Sequence, residues 1–187
     1  ISKVRHPAVR VIWADVLIAQ QRIDEAVAVL RELESFQRVS PELLQNVGQC
    51  YMMIRRWLDA ERAFRRAIEM HPDNVEAWQG LSTIYCRLGR NQEACDSALK
   101  AVGMVYRLPR AHLNLGIALI RSGDTENGVI ALQRALQFNP NIRAAHRMLL
   151  HVYDSVLPDK ERAAHHRTEL ARAWRAMEPA IKKLSLI

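Results

Sequence analysis

Apolar positions in this chain recur with the spacing of helices. Within 41–54, Leu44, Val47, Gly48 and Tyr51 follow an i, i+3, i+4, i+7 order, and within 57–70, Ala60, Phe64 and Ala67 fall on one face of a second helix. Polar and charged residues fill the intervening positions. The same alternation of two short amphipathic stretches continues along the chain. It predicts helices near 7–20 and 23–36, 41–54 and 57–70, 75–88 and 91–105, 109–121 and 125–138, and 143–155 and 159–177. Junction residues support these boundaries: Ser40-Pro41 and Leu108-Pro109 open helices, Pro72 and Pro140 separate them, and Gly89 and Gly123 suit left-handed helix ends.

The stretches are copies of one another at a spacing of 34 residues. Counting Pro41 as position 1, position 4 holds Arg10, Leu44, Trp78, His112 and His146, and position 7 holds Trp13, Val47, Leu81, Leu115 and Leu149. Position 8 holds Ala14, Gly48, Ser82, Gly116 and Leu150, and position 11 holds Leu17, Tyr51, Tyr85, Leu119 and Tyr153. Position 20 is small throughout (Ala26, Ala60, Ala94, Gly128), while position 24 is Leu30, Phe64, Ala98 and Leu132, and position 27 is Leu33, Ala67, Ala101 and Ala135. Small residues at positions 8 and 20 let paired helix backbones approach closely.

These columns resemble the tetratricopeptide repeat family, whose pattern places a large residue, Leu-Gly, Tyr, Ala, Phe, Ala and Pro at these offsets. The resemblance covers residues 7 to about 177. It implies an all-α, right-handed α-solenoid of antiparallel helix pairs in a single domain over 1–187. The repeats are expected at 7–40, 41–74, 75–108, 109–142 and 143–177, the last helix capping the array. The last copy departs from the pattern, with Leu150 at a small position and about one extra residue near Val156-Leu157-Pro158-Asp159. Pro179 is expected to break the final helix and leave 178–187 as a tail.

In such arrays the first helix of each repeat presents positions 2, 5, 6, 9, 12 and 13 to a groove. Amides and arginines there suit an extended peptide, the amides pairing with its backbone and the arginines with its carboxylates. The candidate partner-binding residues are Gln45, Asn46, Gln49, Gln79, Arg87, Arg110, Asn114 and Arg121, and the expected partner is a protein or peptide segment, acidic in part. The set by which some members hold the C-terminal carboxylate of Hsp70 or Hsp90 is not met, since Val11 and Asp15 stand where Lys and Asn are required ahead of Asn46. A scaffold or adaptor role in protein–protein interaction follows. The alternative is an accessory arm of a larger bacterial enzyme, of the type I phosphodiesterase/nucleotide pyrophosphatase or sulfotransferase type, whose catalytic domain lies elsewhere. Self-association is a further expectation, because the end of an array exposes an apolar face.

Composition narrows this reading. Of 187 residues, 49% are hydrophobic, enough for a core without cross-links, and no apolar run approaches the ~20 residues of a membrane span. Cys50, Cys86 and Cys95 lie in helical patterns and read as small buried hydrophobes, consistent with a cytoplasmic protein. The net charge of +7 is concentrated beyond residue 142, where nine basic residues face five acidic ones. Arginines alternate with acids there, and Trp174 alone could stack on a base, so nucleic-acid binding is disfavoured. His146 and His151 are off the i, i+4 spacing of paired ligands, and adjacent His165 and His166 point apart, so the histidines read as packing or surface residues. No phosphate-binding loop, nucleophile elbow or zinc-protease motif is present, and neither enzymatic activity nor a cofactor or metal is expected.

Overall fold

The computed structural model describes residues 6–36 and 39–184, with side chains to residue 176. Among them are ten α-helices, one π-helical turn and no strand: α1 (Pro7–Ala19), α2 (Ile23–Glu34), α3 (Pro41–Met53), α4 (Trp57–Met70), α5 (Val75–Leu88), α6 (Asn91–Met104), α7 (Pro109–Arg121), α8 (Thr125–Phe138), α9 (Arg143–His151) with the π turn Val152–Val156, and α10 (Lys160–Leu184). The helices form two compact units, one of residues 1–106 carrying α1 to α6 and one of residues 107–187 carrying α7 to α10.

Each of the first four helix pairs turns its corner in the same way. Gln21, Arg55, Gly89 and Gly123, 34 residues apart, hold positive φ angles of 61°, 59°, 73° and 94°. The next residue's amide then reaches back to the carbonyl at position 11: Arg22 to Leu17 (2.9 Å), Arg56 to Tyr51 (2.9 Å), Arg90 to Tyr85 (3.0 Å) and Asp124 to Leu119 (3.0 Å). This bond, six residues closing on one, is the Schellman end of a helix. The same residue opens the second helix, its carbonyl accepting from Ala26, Ala60, Ala94 or Gly128. One residue therefore stops one helix and starts its partner.

An arginine at that residue cannot cap with its side chain, so the charge is met three residues on. Arg22 pairs with Glu25, Arg56 with Asp59 and Arg90 with Glu93, placing a carboxylate at each helix N-terminus. In the fourth pair Asp124 caps directly, accepting from the Asn127 amide at 3.3 Å.

The fifth pair cannot use this corner, because its position 16 is Pro158 and has no amide hydrogen. The chain inserts one residue instead. A π-helical turn forms over Val152–Val156, Leu157 donates to the Val152 carbonyl (2.9 Å), and Asp159 donates to the Tyr153 carbonyl (2.9 Å). Asp159 then opens α10, accepting from the amides of Ala163 at its carbonyl and Arg162 at its carboxylate. Contrary to the expected break, α10 continues through Pro179 to Leu184. A proline inside a helix removes one amide donor and bends the axis, which an exposed final helix accommodates.

Packing follows the small columns. The Phe64 ring, fully buried, lies between Gly48 and Gly80; a Cβ on either would stand 2.8 or 2.5 Å from it. In the second unit α7 and α8 meet backbone to backbone, since a Cβ on Gly116 would lie 2.8 Å from the Gly128 carbonyl and one on Gly128 2.9 Å from the Gly116 carbonyl. Between repeats of the first unit, tyrosine and arginine hold buried carboxylates. Tyr51 donates to Glu34 (2.9 Å), which Arg62 also engages (3.0 Å), and Tyr85 donates to Glu61 (2.9 Å), which Arg90 also engages (2.9 Å).

The second unit contains a buried histidine pair joining α9 to α10. The Nδ1 atoms of His146 and His166 are 2.9 Å apart, and His146 Nε2 is 2.9 Å from the Pro140 carbonyl. The carbonyl can only accept, so His146 carries its proton on Nε2 and its Nδ1 accepts from the Nδ1–H of His166. Tyr153 stacks on His166, with His165, Arg162 and Glu169 nearby. Burial, then the neighbouring His146 and His165, push the His166 pKa from 6.5 down to about 4, against the weaker upward pull of Glu169.

Two outcomes are expected. Gly128→Ala should destabilise the chain by about 1–2 kcal/mol, because the overlap with the Gly116 carbonyl and Ile120 outweighs the ~1 kcal/mol helix-propensity gain of alanine; urea unfolding measures this. The unfolded chain takes up a proton at His166 near pH 6.5 that the folded chain refuses until about pH 4, so stability is full above 6.5 and falls on acidification. Thermal melts of the chain should show a loss of Tm between pH 7 and 5, reduced in His166→Phe.

Candidate functional site

With positions 4, 7, 8 and 11 turned inward, the first helix of each repeat leaves its other face for contact with something else. In the first unit this face forms a pocket between α1 and α3 of ≈ 630 Å³, lined by His6, Pro7, Ala8, Val11, Ile12, Asp15, Ser40, Glu42, Leu43, Asn46, Gln49, Cys50 and Met53. Its size is that of a site for a few side chains. Ile12 and Met53 stand 61% and 62% exposed, so the pocket offers apolar surface to solvent, while Asn46 and Gln49 present exposed amides between them.

The pocket's polar groups are held in place. The Cys50 thiol donates to Asp15 Oδ1 at 3.1 Å, and burial, reinforced by that carboxylate, pushes the thiol's pKa well above its usual value. The thiol therefore stays protonated and fixes Asp15 without being a nucleophile. At the start of α3 the Ser40 hydroxyl accepts from the Leu43 amide (3.2 Å). Glu42 takes hydrogen bonds from its own amide and from Ser40, which hold its carboxyl below the ordinary range.

The eight candidate residues fall in both units. Gln45 is half-buried on α3, where Asn46 and Gln49 line the pocket; Gln79, half-buried on α5, has its backbone carbonyl engaged by Ser82 (2.8 Å) and Thr83 (3.0 Å), and Arg87 is exposed in the last turn of α5. In the second unit Arg110 and Arg121 are exposed on α7, Arg121 with an interaction inside the chain, and Asn114, 6% exposed, is engaged as well. Asp15, Ile12, Glu42 and Met53 count as groove positions in the sequence but are not among the eight candidates. They occupy the same first-helix positions, and the signal that could have found them is the adjacency of two apolar residues and two acids across neighbouring repeats.

The second unit has two shallower depressions around Tyr153, Gln133 and Arg162. Among the described residues no group of three or more His, Cys, Asp or Glu side chains could hold a metal ion, and no helix is long and apolar enough to cross a membrane.

Comparison with known proteins accords with this architecture. Models of the tetratricopeptide repeat match residues 51–107 and 109–142. Tetratricopeptide repeat-containing protein trd-1 of Caenorhabditis elegans is 24% identical over 66% of this chain and 16% of its own length, and the BBSome complex member BBS4 homolog of Drosophila melanogaster is 25% identical over 64% and 25%. The chain thus spans a quarter or less of these relatives. Among solved structures, MamA 41-end from Desulfovibrio magneticus RS-1 superposes with a TM-score of 0.77 at 19% identity, covering 91% of this chain and 96% of that one. A Thermobaculum terrenum O-GlcNAc transferase mutant superposes at 0.65 with 28% identity, covering 71% of this chain and 26% of that one. The matched segments, the all-helical solenoid of antiparallel pairs and the corner recurring every 34 residues place this chain in the tetratricopeptide repeat family.

Proposed function

We propose that this chain is a protein–protein interaction scaffold that holds a partner's polypeptide segment against the first-helix faces of its repeats. The observation that carries the reading is the α1/α3 pocket, where exposed amides of Asn46 and Gln49 lie beside exposed Ile12 and Met53. Amides satisfy the backbone of an extended segment, and the apolar residues take its side chains. On α7, exposed Arg110 and Arg121 suit carboxylates of such a segment, as does Arg87 on α5. The names of similar proteins point the same way, since one is a member of the BBSome complex and another an Hsp70-Hsp90 organizing protein of Arabidopsis thaliana.

A second reading is favoured by one observation: 71% of this chain superposes on 26% of an O-GlcNAc transferase chain. On that reading the repeats are the accessory arm of a larger enzyme, of the type I phosphodiesterase/nucleotide pyrophosphatase or sulfotransferase type, and the polypeptide they hold is that enzyme's substrate or its own catalytic domain.

The test is affinity capture from the source lysate with three baits: the wild-type chain, Asn46→Ala with Gln49→Ala, and Arg87, Arg110 and Arg121 changed together to Glu. Asn114 is left intact because the fold already uses it. Quantitative mass spectrometry should show a defined set of proteins depleted about tenfold or more with at least one variant, while all three baits keep the same melting temperature. Identical capture by all three baits would defeat the groove reading.

A further inference from the structure

The α1/α3 pocket has a sign of its own. Its lining contains two carboxylates, Asp15 and Glu42, and neither arginine nor lysine. Of the two, Glu42 stays ionised at neutral pH. Glu42 is held so by its own amide and Ser40, and Asp15 is exposed, with one oxygen fixed by the Cys50 thiol. A cleft whose charges are all of one sign, set among apolar walls, focuses their field, so the pocket attracts cations although the chain as a whole carries +7. Ile12 and Met53 flank the same opening, and a methionine side chain reshapes itself to fit varied apolar partners.

On the reading that the first-helix faces hold a polypeptide, we propose that the α1/α3 pocket selects a segment in which a lysine or arginine adjoins a large apolar side chain, the cation resting on Asp15 and the apolar group between Ile12 and Met53. The first-unit pocket thereby prefers a charge opposite to that suited to Arg110 and Arg121 of the second unit. Charge complementarity decides the occupant: an acidic segment would set its carboxylates against Asp15 and Glu42 with no arginine or lysine in the lining to offset them.

The probe is a library of phage-displayed dodecapeptides selected on the whole chain, followed by anisotropy titrations of fluorescein-labelled copies of the selected sequences. Selected peptides should pair a basic residue with an aliphatic or aromatic one. Their affinity should fall about tenfold for Asp15→Asn, further for Asp15→Lys and also for Ile12→Ser, and should not change for Arg121→Glu. Asn keeps an oxygen to accept from the Cys50 thiol, so Asp15→Asn preserves the packing there. Glu42→Gln, at an exposed site, gives a second charge variant if Asp15→Lys melts early. Peptides that are acidic, or that bind Asp15→Lys as tightly as wild type, would overturn this inference and leave the groove reading standing. A folded chain that selects no peptide would overturn both. A concentration-dependent dimer abolished by Asp15→Lys would mean that a second copy occupies the pocket, and would overturn the peptide assignment as well.

Discussion

The repeat depends on one hydrogen bond, from the amide at position 16 to the carbonyl at position 11. It requires the intervening residue at position 15 to take a left-handed conformation, and it leaves the position 16 carbonyl free to begin the next helix. The corner therefore fixes the distance between the last residue of one helix and the first of its partner. With that distance fixed, positions 8 and 20 come backbone to backbone at Gly116 and Gly128, and position 24 of the second repeat, Phe64, falls between two first helices at Gly48 and Gly80. The last pair shows what happens when the bond is forbidden. Pro158 has no donor, the chain spends one more residue in a wider helical turn, and Asp159 takes over both roles.

The core columns and most helix boundaries were legible because burial acts on side-chain size, which a sequence records directly. The corner was half legible. Gly89 and Gly123 announce a left-handed residue, but Gln21 and Arg55 hold the same conformation without announcing it, the surrounding closure outweighing an intrinsic cost of about 1–2 kcal/mol. The extra residue near Pro158 could be counted, though not the π turn that absorbs it. The passage of α10 through Pro179 was misjudged, because a rule for where helices stop does not say which prolines merely bend them. The His146–His166 pair was out of reach: the two residues are twenty apart and share no column.

Charge was the least readable quantity. Arginines alternating with acids look like a solvated surface, yet Arg62 and Arg90 bridge helices to Glu34 and Glu61, whose carboxylates are largely buried. Removing one partner would leave a buried charge uncompensated, so these contacts hold neighbouring repeats in register more than they add to net stability. Arg90 does this while lying over the Tyr85 ring, 4.4 Å from its centre, and while opening α6. Such arginines are committed to the fold and cannot also serve a partner.

What remains for recognition is the set of first-helix positions that neither the columns nor these ties consume. Their backbone is rigid, because each helix is fixed at both ends and packed along its length, so a bound segment meets groups already in place and little ordering cost falls on the scaffold. The same rigidity separates evolutionary freedom from constraint: exchanging Asp15, Ile12 or Met53 alters what the pocket holds without disturbing position 11 or 16. One corner repeated at a fixed spacing can thus support unrelated partners, and the identity of the partner is written in those few exposed side chains rather than in the columns by which the family is recognised.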